Sequence, residues 1–181
     1  MMKASNELGT LNGMDISGLL NVQKVHDNLY SSGQPTSAQL EILAQAGVSV
    51  IVNLALNNHT SAQVADARYS QEDRTVLELG MQYIQVPILW DCPEANSALF
   101  ALKAIYHLHT QLVWVHCNDN KCAASLMYLY RRFYMHMAID EAQDLLHQVW
   151  EPDETWSGLI NAVAMQLQTE QQQTELMQAT V

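Results

Sequence analysis

The chain has 181 residues, of which 49% are hydrophobic and 15% are charged, and its formal net charge at pH 7 is −11. That length suits one domain with one hydrophobic core, and the composition excludes a disordered chain. The excess of negative charge argues against nucleic acid as a partner, because such binding relies on Lys and Arg side chains that neutralise phosphates.

The sequence also carries information about compartment. No apolar run reaches the roughly 18–20 residues that span a bilayer, which predicts no membrane partner. Residues 1–13 lack the basic and apolar regions of a secretory signal. The three cysteines are an odd and small number, unlike the framework of a disulfide-rich secreted protein. We therefore expect a cytoplasmic chain that uses its thiols singly.

Predicted strands and helices alternate along the chain. The predicted strands, rich in apolar and β-branched residues, cover residues 28–35 (running into a turn), 48–54, 82–86 and 112–116. The predicted helices cover residues 36–46, 61–79, 93–110, 123–137, 139–150 and a last stretch from 155 into a Gln-rich tail at 166–178. Gly47 and Gly80 end the first two of these helices. The alternation predicts an α/β fold with a central, mostly parallel sheet flanked by helices on both faces.

The domain organisation follows from the same pattern. We expect an N-terminal lead-in over residues 1–27, one domain over 28–160 and a helical Gln-rich tail over 161–181, since no repeat or interdomain linker is found. Apolar residues near the start of the tail have helical spacing, which favours packing onto the domain. A partner helix or a homodimer contact is the alternative for this extension.

Cys117 lies at the junction that matters most for function. It directly follows the strand 112–116 and precedes a short polar loop and a helix. Ligands of parallel sheets bind beyond the carboxyl ends of the strands, and a helix N-terminus favours both an anion and a thiolate. A thiolate beside a phosphate cradle is the arrangement needed for phosphoryl transfer through a phosphocysteine. A lone cysteine is often a small buried hydrophobe, but the polar loop after Cys117 argues against that reading.

The segment Val115-His116-Cys117, with its loop and helix, resembles the signature loop of the protein tyrosine and dual-specificity phosphatases. The resemblance extends to a bacterial subgroup of these proteins through three further segments, at 28–35, 47–54 and 127–132. In all it covers roughly residues 28–150.

This resemblance implies a three-layer fold of the dual-specificity-phosphatase type and a set of site residues. Cys117 would be the nucleophile, Asp91 the acid that protonates the leaving oxygen, and His116 a supporting residue that orients the loop. The residues implied in phosphate binding are Asn118, Asp119, Asn120, Lys121, Cys122 and Ala123. No cofactor is implied, and the substrate would be a phosphorylated small molecule or a phosphoprotein. Asp91 has an equally good structural role as a charge near a helix N-terminus.

The chain departs from the family at the arginine that clamps the phosphate. The usual spacing after Cys117 lands on Ala123, and a spacing one residue shorter lands on Cys122. Arg131 lies on the order of 12–15 Å further along the helix than Ala123. Lys121 is a nearby cation, but a lysine does not reproduce the bidentate fork of arginine.

Asp119 adds a second difficulty, because a carboxylate in an anion cradle repels the substrate and raises the pKa of Cys117. The expected function is therefore a cysteine-dependent phosphatase of weak activity. Two alternatives remain open at this stage. One is a pseudophosphatase that binds an anionic or phosphorylated partner without turnover, and the other is a thiol redox sensor that pairs Cys117 with Cys122 or Cys92.

A metal site is the remaining alternative. The chain has histidine and cysteine side chains near the loop, but no pair has the spacing of a compact zinc site. The sequence predicts no metal. The residues considered were His107, His109, His116, Cys117 and Cys122.

Overall fold

The computed structural model describes residues 9–56 and 71–179. The strands of the described residues are β1 (Thr10–Leu11), β2 (Met14–Asp15), β3 (Gln23–His26), β4 (Leu29–Gly33), β5 (Val50–Asn53), β6 (Gln82–Gln85) and β7 (Val113–Cys117). The helices are α1 (Ser37–Gln45), α2 (Glu72–Glu78), α3 (Ala95–His107), α4 (Lys121–Phe133), α5 (Ile139–His147) and α6 (Glu154–Ala179). Residues 61–70 of the predicted helix 61–79 lie outside the described residues.

Strands β3 to β7 form one sheet in the order β3-β4-β7-β5-β6. β3 is antiparallel to β4, and the other neighbours are parallel, so the sheet is mostly parallel as expected. β7 lies in the middle, paired with β4 on one side and β5 on the other. Every residue of β4, β5 and β7 is buried. Burial on both faces of the sheet explains the nearly continuous apolar sequences of β5 and β7.

Two apolar clusters cover the two faces of this sheet. One contains Val52 and Val115 of the sheet together with residues from α3, α4, α5 and α6. The other contains Ile51 and Trp114 with residues from α1 and α2. Helices therefore lie on both faces, and the domain has three layers, as the sequence predicts for this α/β class.

Local signals explain the ends of several elements. Thr36 caps α1 through a capping box with Gln39, and Gly47 follows the helix with a φ of +91°. α3 begins at Ala95 rather than at Pro93, because Glu94 before it has an extended backbone. α4 begins at Lys121 rather than at 123, and it ends at Phe133 rather than at 137.

Described residues on both sides of the predicted domain 28–160 also join this fold. β3 lies in the segment predicted as a lead-in. Val25 is its one apolar residue and is buried, and a single apolar residue is too little to predict a strand from sequence. The predicted start of the tail at 161 falls inside α6, which buries Val163 and Leu167. Glu170 of the tail lies 2.7 Å from Nζ of Lys103 on α3. The first part of the tail therefore packs onto the domain. None of the described helices is both long enough and apolar enough to cross a membrane.

Candidate active site

The loop between β7 and α4 is held against the neighbouring strand by its backbone. Gly33 at the end of β4 forms a bridge with Asp119, and the N–H of Gln34 donates to the carbonyl of Asn118 over 3.3 Å. A Cβ at Gly33 would lie 3.0 Å from the Cβ of Leu20 and 3.2 Å from the Asn118 carbonyl. Glycine therefore permits the close approach of the two segments, which gives the segment 28–35 a role at the site.

Asn120 fixes the turn into α4. Its φ of +73° is a left-handed conformation that asparagine tolerates better than most residues. Its buried side chain donates to the carbonyl of Asn21 over 2.6 Å, and the Asn21 side chain donates to the carbonyl of Asp119 over 3.0 Å. This reciprocal pair ties the loop to residues just before β3. Asn120 is thus a residue that shapes the loop.

Cys117 is the last residue of β7, and its side chain is buried. Burial acts to raise the pKa of this thiol, but hydrogen bonds from the Cys122 thiol and from the N–H groups of Ala123 and Asp119 outweigh it. Together they lower the pKa of Cys117 from 9.0 to about 7, despite the opposing charge of Asp119. The thiolate is therefore well populated at neutral pH, as a nucleophile requires.

Cys122 lies in the first turn of α4, and a hydrogen bond from its thiol lowers the pKa of Cys117. The hydrogen bond to Cys117 and burial raise the pKa of Cys122 well above 9.0, so it stays protonated and acts as the donor. Ala123 is fully buried, and its contribution to the site is its backbone N–H. Of the two positions considered for the missing arginine, Cys122 is the one whose side chain reaches the nucleophile.

The two charged side chains of the loop neutralise each other. Nζ of Lys121 lies 2.8 Å from Oδ2 of Asp119, and the other carboxylate oxygen of Asp119 accepts from the Lys121 N–H over 3.2 Å. The hydrogen bond that the Lys121 ammonium donates to the Asp119 carboxylate raises the pKa of Lys121. Lys121 is thus engaged with Asp119 and adds no free positive charge to the loop.

Asp91 lies on an exposed bend whose neighbour Trp90 is anchored. The carbonyl of Trp90 accepts a hydrogen bond of 3.2 Å from the indole N–H of Trp156, and its ring packs 5.0 Å from that of Trp156. The ring of Trp90 also lies 5.2 Å from the ring of Trp150 and 5.8 Å from Nζ of Lys121. This aromatic cluster holds the segment of Asp91 beside the β7–α4 loop. The acid role of Asp91 itself stays a prediction.

A buried polar cluster lies next to the end of β7. Nε2 of His116 lies 2.6 Å from Oε1 of Glu72, and both side chains are almost fully buried. The side-chain amide of Asn53 donates to Oε2 of Glu72 over 2.8 Å and to the hydroxyl of Tyr83 over 2.9 Å. Burial and the charge of Glu72 raise the pKa of Tyr83, so the phenol stays protonated. Through this cluster α2 and β6 hold the histidine that precedes the nucleophile.

Glu72 was not identified from the sequence. It stands in a predicted helix among other acidic residues, and nothing local distinguishes it from an exposed carboxylate. The pairing of Asn53 with His116 across β5 and β7 could have suggested a buried polar partner.

Arg131 and Arg132 of α4 are engaged elsewhere in the fold. Arg131 is buried and donates to the carbonyl of Lys24 over 3.1 Å, and burial lowers the pKa of Arg131 to about 10. Arg132 donates to the hydroxyl of Tyr128. Cys92 is exposed, whereas Cys117 and Cys122 are both buried. Within residues 9–56 and 71–179, no group of three or more His, Cys, Asp or Glu side chains is arranged to hold a metal ion.

The sequence matches no protein-family model and no curated protein. Among solved structures, the protein described as "Putative phosphatase (DUF442)" from Shewanella putrefaciens CN-32 is 25% identical, with a TM-score of 0.69 over 83% of this chain and 95% of that chain. The core catalytic domain of PP-IP phosphatase SIW14 from S. cerevisiae is 16% identical, with a TM-score of 0.62 over 78% and 83% of the chains. TpbA from P. aeruginosa is 15% identical, with a TM-score of 0.60 over 82% and 91%. The chain has the fold of the protein tyrosine and dual-specificity phosphatases, and the similarity to the Shewanella protein supports a phosphatase.

Proposed function

We propose that the chain is a cysteine-dependent phosphomonoester hydrolase of weak activity, with Cys117 as nucleophile and Asp91 as general acid. The observation that carries the proposal is the convergence of donors on Cys117, which lowers its pKa to about 7 at the junction of a buried strand and a helix N-terminus. A plain core cysteine has no need of such donors, because burial alone would keep it a neutral thiol.

The chemistry has two steps. The Cys117 thiolate attacks phosphorus, the bond to the leaving oxygen breaks, and Asp91 gives that oxygen its proton. A water molecule then attacks the phosphocysteine, Asp91 accepts the proton of that water, and the thiolate leaves. The N–H groups of Ala123 and Asp119 already point at the Cys117 sulfur. Donors in this position would also stabilise charge on the phosphoryl oxygens.

The activity is expected to be weak for two reasons found in the loop. Cys122 takes the place of a guanidinium, and a missing transition-state contact of this kind costs about 2.7–4 kcal/mol, or a hundred- to thousandfold in rate. The ion pair of Lys121 with Asp119 leaves the β7–α4 loop itself without a free cation to substitute. The same two features favour the second candidate, a pseudophosphatase that binds an anionic or phosphorylated partner without turnover.

The substrate class that fits this proposal is a phosphorylated small molecule or a phosphoprotein. The net charge of −11 disfavours long-range attraction of a phosphate, so binding has to come from the local donors of the loop. The proposed setting is the cytoplasm, without nucleic acid, membrane or cofactor, and a homodimer remains a proposal for the exposed end of α6.

Hydrolysis of p-nitrophenyl phosphate tests the proposal. The wild type should show slow turnover that disappears in Cys117→Ser. Cys122→Arg should raise turnover by about 100- to 1,000-fold, because it supplies the clamp next to the nucleophile. Ala123→Arg is the matched control, since Ala123 contributes its backbone N–H rather than its side chain to the site, and it should give no gain. Phosphate binding without any turnover in the wild type or Cys122→Arg would favour the pseudophosphatase and refute the hydrolase.

A further inference from the structure

Exposed apolar side chains lie at the edge of the sheet that carries Cys117. Strands β4, β7, β5 and β6 are parallel, so their carboxyl ends meet at this edge. Four large apolar residues at or just beyond these ends keep between 41% and 54% of their surface exposed. They are Leu20, Leu56, Leu89 and Trp90, and we call them the apolar rim.

Leu20 lies on the β4 side of Cys117. Gly33, the last residue of β4, is in register with Cys117, and its N–H donates to the carbonyl of Leu20 over 2.8 Å. The side chain of Leu20 covers Gly33, since a Cβ there would lie 3.0 Å from the Cβ of Leu20. Leu20 is therefore one strand away from the proposed nucleophile, beside the bridge between Gly33 and Asp119.

Leu56 and Leu89 lie on the β5 side of Cys117. The N–H of Ile88 donates to the carbonyl of Leu54 over 3.0 Å, which joins the segment after β6 to the segment after β5. Leu56 and Leu89 stand one or two residues beyond this hydrogen bond. They therefore extend the rim along the carboxyl edge of the two strands.

Trp90 brings the rim up to the β7–α4 loop. Its ring lies 5.8 Å from Nζ of Lys121 and is held in place by the rings of Trp150 and Trp156. The neighbouring residue Asp91 is the proposed general acid. An alcohol whose oxygen is within reach of Asp91 therefore has apolar surface next to it.

Positive charge is scarce around this rim. In the part of the chain that the structure describes, every Lys and Arg side chain already has a partner within the fold. The partners are Asp27 for Lys24, Glu78 for Arg74, Glu170 for Lys103, Asp119 for Lys121, the Lys24 carbonyl for Arg131 and the Tyr128 hydroxyl for Arg132. A ligand with several phosphates requires several Lys or Arg side chains that can turn toward it.

We propose that the apolar rim receives the alcohol part of the substrate and selects phosphate monoesters of apolar alcohols over those of sugars, nucleosides or polyphosphorylated inositols. This inference rests on the proposed function, because it takes the loop after Cys117 as the phosphate site. An apolar alcohol removes exposed leucine and tryptophan surface from water without stripping any polar group of its hydrogen bonds. A polyphosphate instead places charged oxygens against apolar side chains and near the carboxylates of Asp91 and Asp119.

The test is calorimetric binding to the full chain with Cys117→Ser, which removes the nucleophile and so prevents turnover. The probes are inorganic phosphate, methyl phosphate, hexyl phosphate, 2-naphthyl phosphate and myo-inositol hexakisphosphate. Hexyl and 2-naphthyl phosphate should bind at least about tenfold more tightly than methyl phosphate, and inorganic phosphate should displace both. The hexakisphosphate should bind no more tightly than inorganic phosphate.

Substitutions in the rim identify the surface that is responsible. Leu20→Ser and Leu89→Ser should each weaken binding of 2-naphthyl phosphate by about three- to tenfold, because each loses the burial of about half a leucine side chain. Binding of inorganic phosphate should not change. Leu77→Ser is the matched control, since Leu77 is 63% exposed near the end of α2, where the chain turns toward the start of β6. This variant should bind every probe as the parent does.

Three results would overturn the proposal: equal affinity across the monoesters, tightest binding of the hexakisphosphate, or binding of none of the probes. An equal loss in Leu77→Ser and Leu20→Ser would overturn it as well. Hydrolysis of p-nitrophenyl phosphate by the wild type is scored separately. Hydrolysis with equal affinities refutes the rim and keeps the hydrolase, whereas graded affinities without hydrolysis keep the rim and refute the hydrolase.

Discussion

Removal of the Cys122 thiol should make Cys117 a much poorer nucleophile at low pH. Cys122 provides the largest of the three hydrogen bonds that lower the pKa of Cys117 from 9.0 to about 7. A hydrogen bond to a charged group contributes about 1.5–3 kcal/mol, and about 1.36 kcal/mol corresponds to tenfold in thiolate. In Cys122→Ala the rate of Cys117 alkylation at pH 6 should therefore fall by about tenfold to hundredfold.

The assay is iodoacetamide labelling from pH 5.5 to 9, read at Cys117 by peptide mass mapping in a Cys92→Ser background. Cys122→Ser is the matched control, since a hydroxyl can still donate to the thiolate and should keep much of the lowered pKa. The reasoning is refuted if Cys122→Ala and the parent protein label Cys117 with the same pH midpoint. In that case the backbone donors of Ala123 and Asp119 would suffice for the thiolate.

The same perturbed pKa, the buried polar cluster, Arg131 and the tryptophan anchor give four further predictions. Cys117 has a pKa of about 7 when folded and 9.0 when unfolded, so the folded protein binds fewer protons over this range. Urea denaturation should therefore give a stability gain relative to Cys117→Ser that grows to about 2 kcal/mol by pH 8.5, is complete only above pH 9 and disappears below pH 7. Glu72→Ala removes the buried partner of His116 and should cost about 3–5 kcal/mol in urea denaturation, with a smaller loss contradicting a structural role for the pair. Arg131→Met should shift the free energy of unfolding but leave the pH midpoint of Cys117 labelling unchanged, whereas a moved midpoint would place Arg131 at the site. Trp156→Phe loses the hydrogen bond to the Trp90 carbonyl and should lower kcat for p-nitrophenyl phosphate more than it changes Cys117 alkylation, and equal effects on both would argue against an anchored acid segment.

Local sequence signals were sufficient for the parts of the fold that organise the site. The apolar runs of β5 and β7 and the capping signal at Thr36 are contained in a few neighbouring residues, and so is the polar loop after Cys117. Each of these elements lies where the sequence placed it, within a few residues at its ends. The fold class followed from their alternation and from the resemblance of four short segments.

The remaining features depend on contacts between distant parts of the chain. Glu72 and His116 meet because α2 packs beside the end of β7, and no pattern near either residue indicates this. The ammonium group of Lys121 pairs with the carboxylate of Asp119, two residues earlier. The sequence alone does not show whether this side chain pairs within the loop or faces a bound anion. β3 is short and at the sheet edge, so it offers only one buried apolar residue as a signal. The effect of Cys122 on the pKa of Cys117 required the positions of both sulfurs.

The most direct test of the central claim is to look for the phosphoryl group on Cys117 itself. The protein is mixed with p-nitrophenyl phosphate, quenched with acid within the first turnover, digested and mapped by mass spectrometry. We expect one phosphoryl group on the peptide that contains Cys117, in higher yield in Cys122→Arg and absent in Cys117→Ser. Hydrolysis that proceeds with no phosphoryl group on Cys117, or with equal rates in Cys117→Ser, would contradict it.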